Sequence, residues 1–280
     1  MMFSEESLLA TYPFQSSDPI LVDVGAHQGT VSTIFAKKGW PVLAFEPEEK
    51  NRQVFQQRLA QFKQVDCIPK AVSDVTGDKV PFYVSQEHYG IHSLKPWHDT
   101  HELADEVETI RLEEILKQKE IPSGTFLKID IEGADFLALK GFDFQKYRPE
   151  LVMIEFMDER TQPNFNYTHH DVVAYMKERG YITFVSEWEP IKEYGREGQK
   201  TPPHRWKQCI PYPVDHQPAW GNLIFVLQED RQRCETTLSS YLADLKKLQK
   251  AQKMNQVRQT LKKIPGVKML YNLIKGQKAQ

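Results

Sequence analysis

The chain has 280 residues, 40% hydrophobic and 26% charged, with a formal net charge of −2. That composition fits a soluble globular protein with a sizeable core and excludes a disordered or collagen-like chain. No apolar run approaches the ~20 residues of a membrane span, the N-terminus lacks the pattern of a secretion signal, and the three scattered cysteines show no metal spacing; a cytoplasmic protein is expected.

Residues 1–19 read as an N-terminal lead-in with few apolar side chains. Ile20 to Val24 is an apolar run of strand length. Gly25 and Gly29 follow it, and Thr30 to Lys38 is compatible with a helix. Strand, glycine turn and helix open a nucleotide-binding α/β unit. The spacing is not the G-x-G-x-x-G of dinucleotide sites. Asp23 stands two residues before the first glycine, where it disfavours a pyrophosphate and suits a ligand with a positive amino group, such as S-adenosylmethionine. Glu46 ends the next apolar run, and its carboxylate can accept both hydroxyls of a ribose. A helix is predicted after Pro47, then a strand over 65–72 and an edge strand over 80–84.

Residues 85–105 are polar and hold His88, His92, His98 and His101. A long irregular stretch of this kind reads as a functional loop, and His88 and His92 are candidate bases for removing a proton from an acceptor. A short strand over 107–112 and a helix over 113–119 follow. Phe126 to Asp130 is a further parallel strand that runs into Ile131-Glu132-Gly133. Ligands of doubly wound sheets sit at such strand ends, so Asp130 and Glu132 are candidate catalytic carboxylates. The next strand, Leu151 to Phe156, carries Glu155; a magnesium ion on Asp130 and Glu155 is the alternative way to acidify an acceptor hydroxyl. A helix over 171–179 and a strand over 181–186 come next. Residues 187–219 read as an insertion or lid, and 222–227 as the last strand.

Four stretches now stand in order: Val22-Asp23-Val24-Gly25-Ala26-His27-Gln28-Gly29, Phe45-Glu46-Pro47, Ala71-Val72-Ser73-Asp74 and Lys128-Ile129-Asp130-Ile131-Glu132-Gly133. Together with Gly141 and Pro149 to Glu155 they resemble the FkbM family of S-adenosylmethionine-dependent methyltransferases, over about residues 20 to 228. The resemblance implies a class I methyltransferase (Rossmann-like) fold, a doubly wound sheet that is mostly parallel with one antiparallel strand. It implies methylation of a hydroxyl, often on a sugar or polyketide. By it, Asp23, Gly25 and Gly29 hold the methionine end of the cofactor, Glu46 the ribose, and Ala71 and Ser73 lie beside adenine. His27 stands where the family usually shows Asn. Methylation of nitrogen or a carboxyl group, and a binding module that has lost turnover, are the competing readings.

The methyltransferase domain is expected over 20–235 and a basic helical tail over 236–280. Nine Lys, one Arg and one Asp make that tail +9, against −11 for the rest. Leu238, Tyr241, Leu242, Leu245 and Leu248 form an apolar stripe of helical period, and a second amphipathic segment is expected over 267–274. The stripe is expected to pack on the domain or a second subunit, with attachment to an anionic membrane surface as the alternative. No nucleic-acid motif accompanies the charge.

Overall fold

The computed structural model describes residues 3–88, 90–118, 125–196 and 203–263, with side chains to 254 in the last segment. Among them no helix is long and apolar enough to cross a membrane. The expected segment over 267–274 lies outside the described residues.

Helix α1 (Glu5–Leu9) precedes strand β1 (Ile20–Val24), helix α2 (Thr30–Ala36), strand β2 (Val42–Phe45), helix α3 (Glu49–Leu59) and strand β3 (Val65–Ile68). Strands β4 (Ala71–Val72), β5 (Lys79–Ser85) and β6 (His101–Ile110) form a small separate sheet in the order β4-β6-β5. Helix α4 (Leu112–Gln118), strand β7 (Thr125–Ile129), helix α5 (Asp135–Lys140), strand β8 (Leu151–Phe156), helices α6 (Asp158–Phe165) and α7 (His169–Lys177) and strand β9 (Tyr181–Trp188) continue the alternation. Strands β10 (Trp206–Pro211) and β11 (Trp220–Leu227) and helix α8 (Arg231–Lys263) complete the chain.

The large sheet has the order β10-β9-β11-β8-β7-β1-β2-β3. From β3 to β8 its pairs are parallel, and β11 lies antiparallel between β8 and β9. The apolar runs of β1, β2, β7 and β8 are those of strands covered on both faces. Alternate side chains feed two cores: Val22, Val24, Leu127 and Ile129 join one, Leu21, Ala44, Phe126 and Met153 the other. Strand β6 is longer than the expected 107–112, because residues 101–108 pair with β5 and leave the loop confined to 86–100. Part of the expected lid is regular too: β10 extends the sheet beyond β9.

Two expected boundaries differ. The lead-in belongs to the body: Phe3, Leu8, Leu9, Ala10 and Tyr12 are buried. Glu5 is buried with them, and its Oε1 accepts from Ser186 Oγ (2.6 Å) and Trp188 Nε1 (2.7 Å). The boundary at residue 235 falls inside α8, where Cys234, Leu238 and Leu245 pack against Leu8, Leu9 and Phe184. The apolar stripe is covered only as far as Leu245, and Leu248 is 45% exposed. Removing 236–280 is therefore expected to destabilise the protein by about 4 kcal/mol or more, since each buried leucine contributes about 1.5–3 kcal/mol and its neighbours lose their cover. Removing only 246–280 should leave the unfolding midpoint nearly unchanged. Thermal unfolding of the two truncations checks this; equal midpoints would place the boundary back at 235.

Candidate active site

Backbone bonds tie the turn after β1 to its neighbours. Gly25 N and Ala26 N both donate to Phe45 O at 3.0 Å, and Asp130 N donates to Val24 O at 3.1 Å. Gly25 has φ +77°, and a Cβ there would lie 1.9 Å from Asp130 O. The end of β7 thus passes too close for any other residue. Gly29 caps α2 with φ +76°, and a Cβ there would meet the Phe55 ring at 2.7 Å; it serves packing of α3 and lies outside the cavity.

A cavity of about 240 Å³ opens at the carboxyl ends of β1, β2 and β7. Gly25, His27, Glu46, Ala71, His92, Asp130 and Glu132, all read from the sequence, line it. Phe45, from the same stretch as Glu46, also lines it, and so do Asn51, Lys70, Phe82 and Leu94, which carried no sequence signal of their own, beyond Asn51 following Glu46 by little more than a helical turn. Glu46 is buried; its Oε2 accepts from His27 N (2.8 Å) and its Oε1 from Glu48 N (2.9 Å). Burial pushes its pKa up to about 7, against the pull of those two N–H groups. Asn51 Nδ2 is a buried donor with no hydrogen-bond partner, at the same wall. A carboxylate beside an unused amide donor suits a polar ligand with both hydroxyl donors and an acceptor. His27 takes φ +48° to bring its N–H to Glu46, and burial holds its imidazole down to about 4, hence neutral.

Asp23 does not reach the cavity, contrary to expectation. It alternates with Val22 and Val24 onto the α2 face of the sheet, is fully buried, and accepts from Ser32 Oγ at 2.7 Å. Its Oδ1 lies 3.1 Å from Lys128 Nζ. Lys128 also donates to Gly25 O at 2.9 Å and lies 3.6 Å from Asp130 Oδ2. Burial opposes the lysine's charge, but Asp23 and Asp130 more than offset it and raise its pKa. Asp23 therefore positions the turn through Lys128. Ser73 does not line the cavity either: its backbone lies against Gly141 and its Oγ donates to Asp74 Oδ1 at 3.1 Å, while Ala71, two residues before, lines the cavity.

A second cavity of about 310 Å³ adjoins the first and is lined by Glu132, Glu155, Arg160, Tyr194, His204 and Trp220. Arg160, from the first turn of α6, is buried between the two carboxylates. Its Nη1 donates to Glu132 Oε2 and its Nη2 to Glu155 Oε2, with the guanidinium 5.2 Å from the Trp97 ring centroid. Burial raises the pKa of Glu132, and that of Glu155 to about 7; Arg160 pulls against it while Asp130 and Asp135 add to it. Oxygens of Asp130, Glu132 and Glu155 come within 4.8 Å of one another, the approach a metal would need. The guanidinium already takes one oxygen of two of the three and sets a positive charge between them, so this donor set is a poor one for the expected magnesium.

The two candidate histidines part company. His92 lines the first cavity; its Nδ1 accepts from Ser85 N at 3.3 Å, which leaves the hydrogen of the neutral ring on Nε2. Burial lowers its pKa. His88 lines neither cavity: its ring is packed against His98 (5.2 Å) and Tyr194 (6.0 Å) and is buried. His88 is thus held away from both cavities, and His92 presents a ring N–H donor rather than a base to the first.

The sequence matches the description "Methyltransferase FkbM domain" over residues 23–183. No curated protein matches. Among solved structures, the chain is similar to a precorrin-6Y C5,15-methyltransferase from Geobacter metallireducens GS-15 at 11% identity and TM-score 0.40, covering 81% of this chain and 94% of that one. It is also similar to an rRNA methylase from Streptococcus thermophilus (11% identity, TM-score 0.39, 79% and 93% covered). A third is the magnesium protoporphyrin IX methyltransferase of Synechocystis PCC 6803 with bound SAM (10% identity, TM-score 0.37, 79% and 74% covered). These likenesses concern the fold alone. The family match spans more than half of the chain and contains the glycine turn, Glu46 and the Asp130–Glu132 stretch, and on that ground the chain belongs to the FkbM family of methyltransferases.

Proposed function

We propose that this protein transfers a methyl group from S-adenosylmethionine to a hydroxyl of a sugar, glycan or related metabolite. The observation that carries the reading is the shared wall: Gly90 and Glu132 line both cavities, so a ligand in one meets a ligand in the other at the end of β7. When bound, S-adenosylmethionine supplies a methyl group on a positively charged sulfur. Glu46 accepts the ribose hydroxyls, the Asn51 amide donates, and Phe45, Ala71, Val72 and Phe82 give the base apolar walls. Asp130, whose side chain is 40% exposed, is the carboxylate that faces the positive end of the cofactor in place of Asp23.

The second cavity takes the acceptor. Trp220, Tyr194 and His204 offer ring faces to the apolar side of a sugar. Glu132 and Glu155 are hydrogen-bond acceptors fixed in orientation by Arg160, and they hold the proton that an attacking hydroxyl gives up. The only cation among the described lining residues of this cavity is Arg160, already spent on the two carboxylates. A neutral polyol suits such a wall better than a phosphate or carboxylate.

The test is incubation with S-adenosylmethionine and a panel of glycans, with product analysis by mass spectrometry. A methyl ether is expected; a product methylated only on nitrogen or carboxyl would replace this reading, and no transfer to any acceptor would favour a binding module. Asp130→Asn should lower turnover at least 100-fold with an unfolding midpoint within a few degrees of the parent. Because Arg160 holds the carboxylates, activity should survive EDTA. Loss on chelation with recovery in magnesium would reinstate the ion on Asp130 and Glu155.

A further inference from the structure

After Leu245 helix α8 loses its partner. Residues 246–254 are all exposed, although the helix continues to Lys263. The sequence changes at the same point: Asp244 is the last acidic residue, and the 36 residues from Leu245 to the end hold ten basic ones. Lys246, Lys250 and Lys253 share one face at spacings of four and three. Lys247 turns back to Asp244, 2.9 Å away. Among the lysines stand two of the four exposed large hydrophobics of the described residues, Leu248 (45%) and Met254 (48%).

The place where the helix leaves the body matters. Tyr241, one turn before, packs its ring 5.8 Å from Phe3. Phe3 in turn lines a third cavity of about 260 Å³ with Glu6, Trp188, Trp220, Asp130 and Glu155. The basic half of α8 therefore emerges at the end of the molecule where the active-site cavities open.

We propose that the distal half of α8 holds the protein on an anionic phospholipid surface, with its catalytic end toward that surface. Single-sign charge over 36 residues is attracted to anionic headgroups and repelled by nothing in the same segment. Met254, four residues after Lys250 and so on the lysine side of the helix, gains by entering the headgroup boundary, where a purely aqueous partner would leave it wet. Two such helices side by side would set like charges against each other. A single-stranded nucleic acid would want exposed aromatic rings to stack on, and the described side chains from Leu245 to Met254 include none.

Cosedimentation of the full chain with phosphatidylcholine vesicles, with and without one quarter phosphatidylglycerol, tests this. Binding is expected to the anionic vesicles only and should fall steeply in 0.5 M salt, where screening shortens the reach of the lysines. Each lysine near such a surface contributes about fivefold in partitioning. The triple variant Lys246→Gln, Lys250→Gln, Lys253→Gln should thus bind roughly 100-fold more weakly, with its unfolding midpoint unchanged because all three are exposed. Equal binding to neutral vesicles, or an unaffected triple variant, would overturn the proposal. So would self-association in sedimentation velocity that the triple variant abolishes, or binding to polyuridylate that anionic vesicles fail to displace.

Discussion

Replacement of Arg160 by Met is expected to cost about 3–5 kcal/mol of stability at pH 8, the penalty for leaving buried charge without its counter-ion. Arg160 is almost inaccessible and is the direct partner of both Glu132 and Glu155. The loss should depend on pH in a defined sense. Burial already raises the pKa of both carboxyls, and without the guanidinium they rise further. A carboxyl whose folded pKa exceeds its unfolded value contributes stability that is complete below about 4.5 and is lost as pH rises through the folded value. The Arg160→Met protein should therefore come closest to its parent near pH 5 and fall away toward pH 8. Arg160→Lys keeps the charge but lacks the two-pronged geometry that bridges two carboxylates, so it should recover part of the stability and little of the turnover. Chemical denaturation at several pH values checks this. A deficit in Arg160→Met that is below 1 kcal/mol at pH 8, or that grows toward acid, would show that the two carboxyls do not depend on Arg160.

Much of the framework was legible because it rests on local rules. The short, mostly apolar runs of β1, β2, β7 and β8 alternate with helical stretches, the pattern of buried parallel strands, and the Gly25 and Glu132 turns mark where β1 and β7 end. Glu46 and Asp130 could be placed at the site because strand ends of this fold face ligands. Asp23 shows the limit of that rule. The period of two puts it with Leu21 on the inner face, and nothing near it in sequence announces that Lys128, a hundred residues on, neutralises it. Arg160 escaped for a related reason: Glu155 stands five residues before it, but Glu132, the other carboxylate it bridges, lies 28 residues earlier beyond the end of a different strand. The lead-in misled because its buried side chains are few, yet Phe3 and Glu5 meet β9 and Phe3 and Tyr12 meet α8, elements more than 170 residues away. His88 and His92 read alike in a polar loop; the side of the loop on which each ring falls is set by Tyr194 and His98 on one hand and by Phe82 and the cavity on the other.

Glu46→Ala is expected to weaken S-adenosylmethionine binding by about 10- to 100-fold. A hydrogen bond to a charged group is worth about 1.5–3 kcal/mol, and Glu46 is the carboxylate that ends β2, held there by His27 N and Glu48 N. The variant also frees His27 N and Glu48 N, which now donate to this carboxylate, so the turn itself loosens. The wild-type protein should reveal the same contact through pH. Burial holds Glu46 up to about 7, and near neutrality the ligand-free protein carries it partly protonated. A raised carboxyl stabilises the ligand-free fold fully below about 4.5, and that contribution is lost as pH rises through about 7. Binding runs the other way. Two hydroxyl donors favour the ionised form, which accepts on both oxygens, so affinity should climb as pH rises to about 7 and then level off. Calorimetric titration from pH 5.5 to 8.5 should show that rise in the wild type and a flat profile in Glu46→Ala. A wild-type affinity independent of pH together with an unimpaired variant would mean that the ribose is held elsewhere. A pH step that persists in Glu46→Ala would assign the titration to another group.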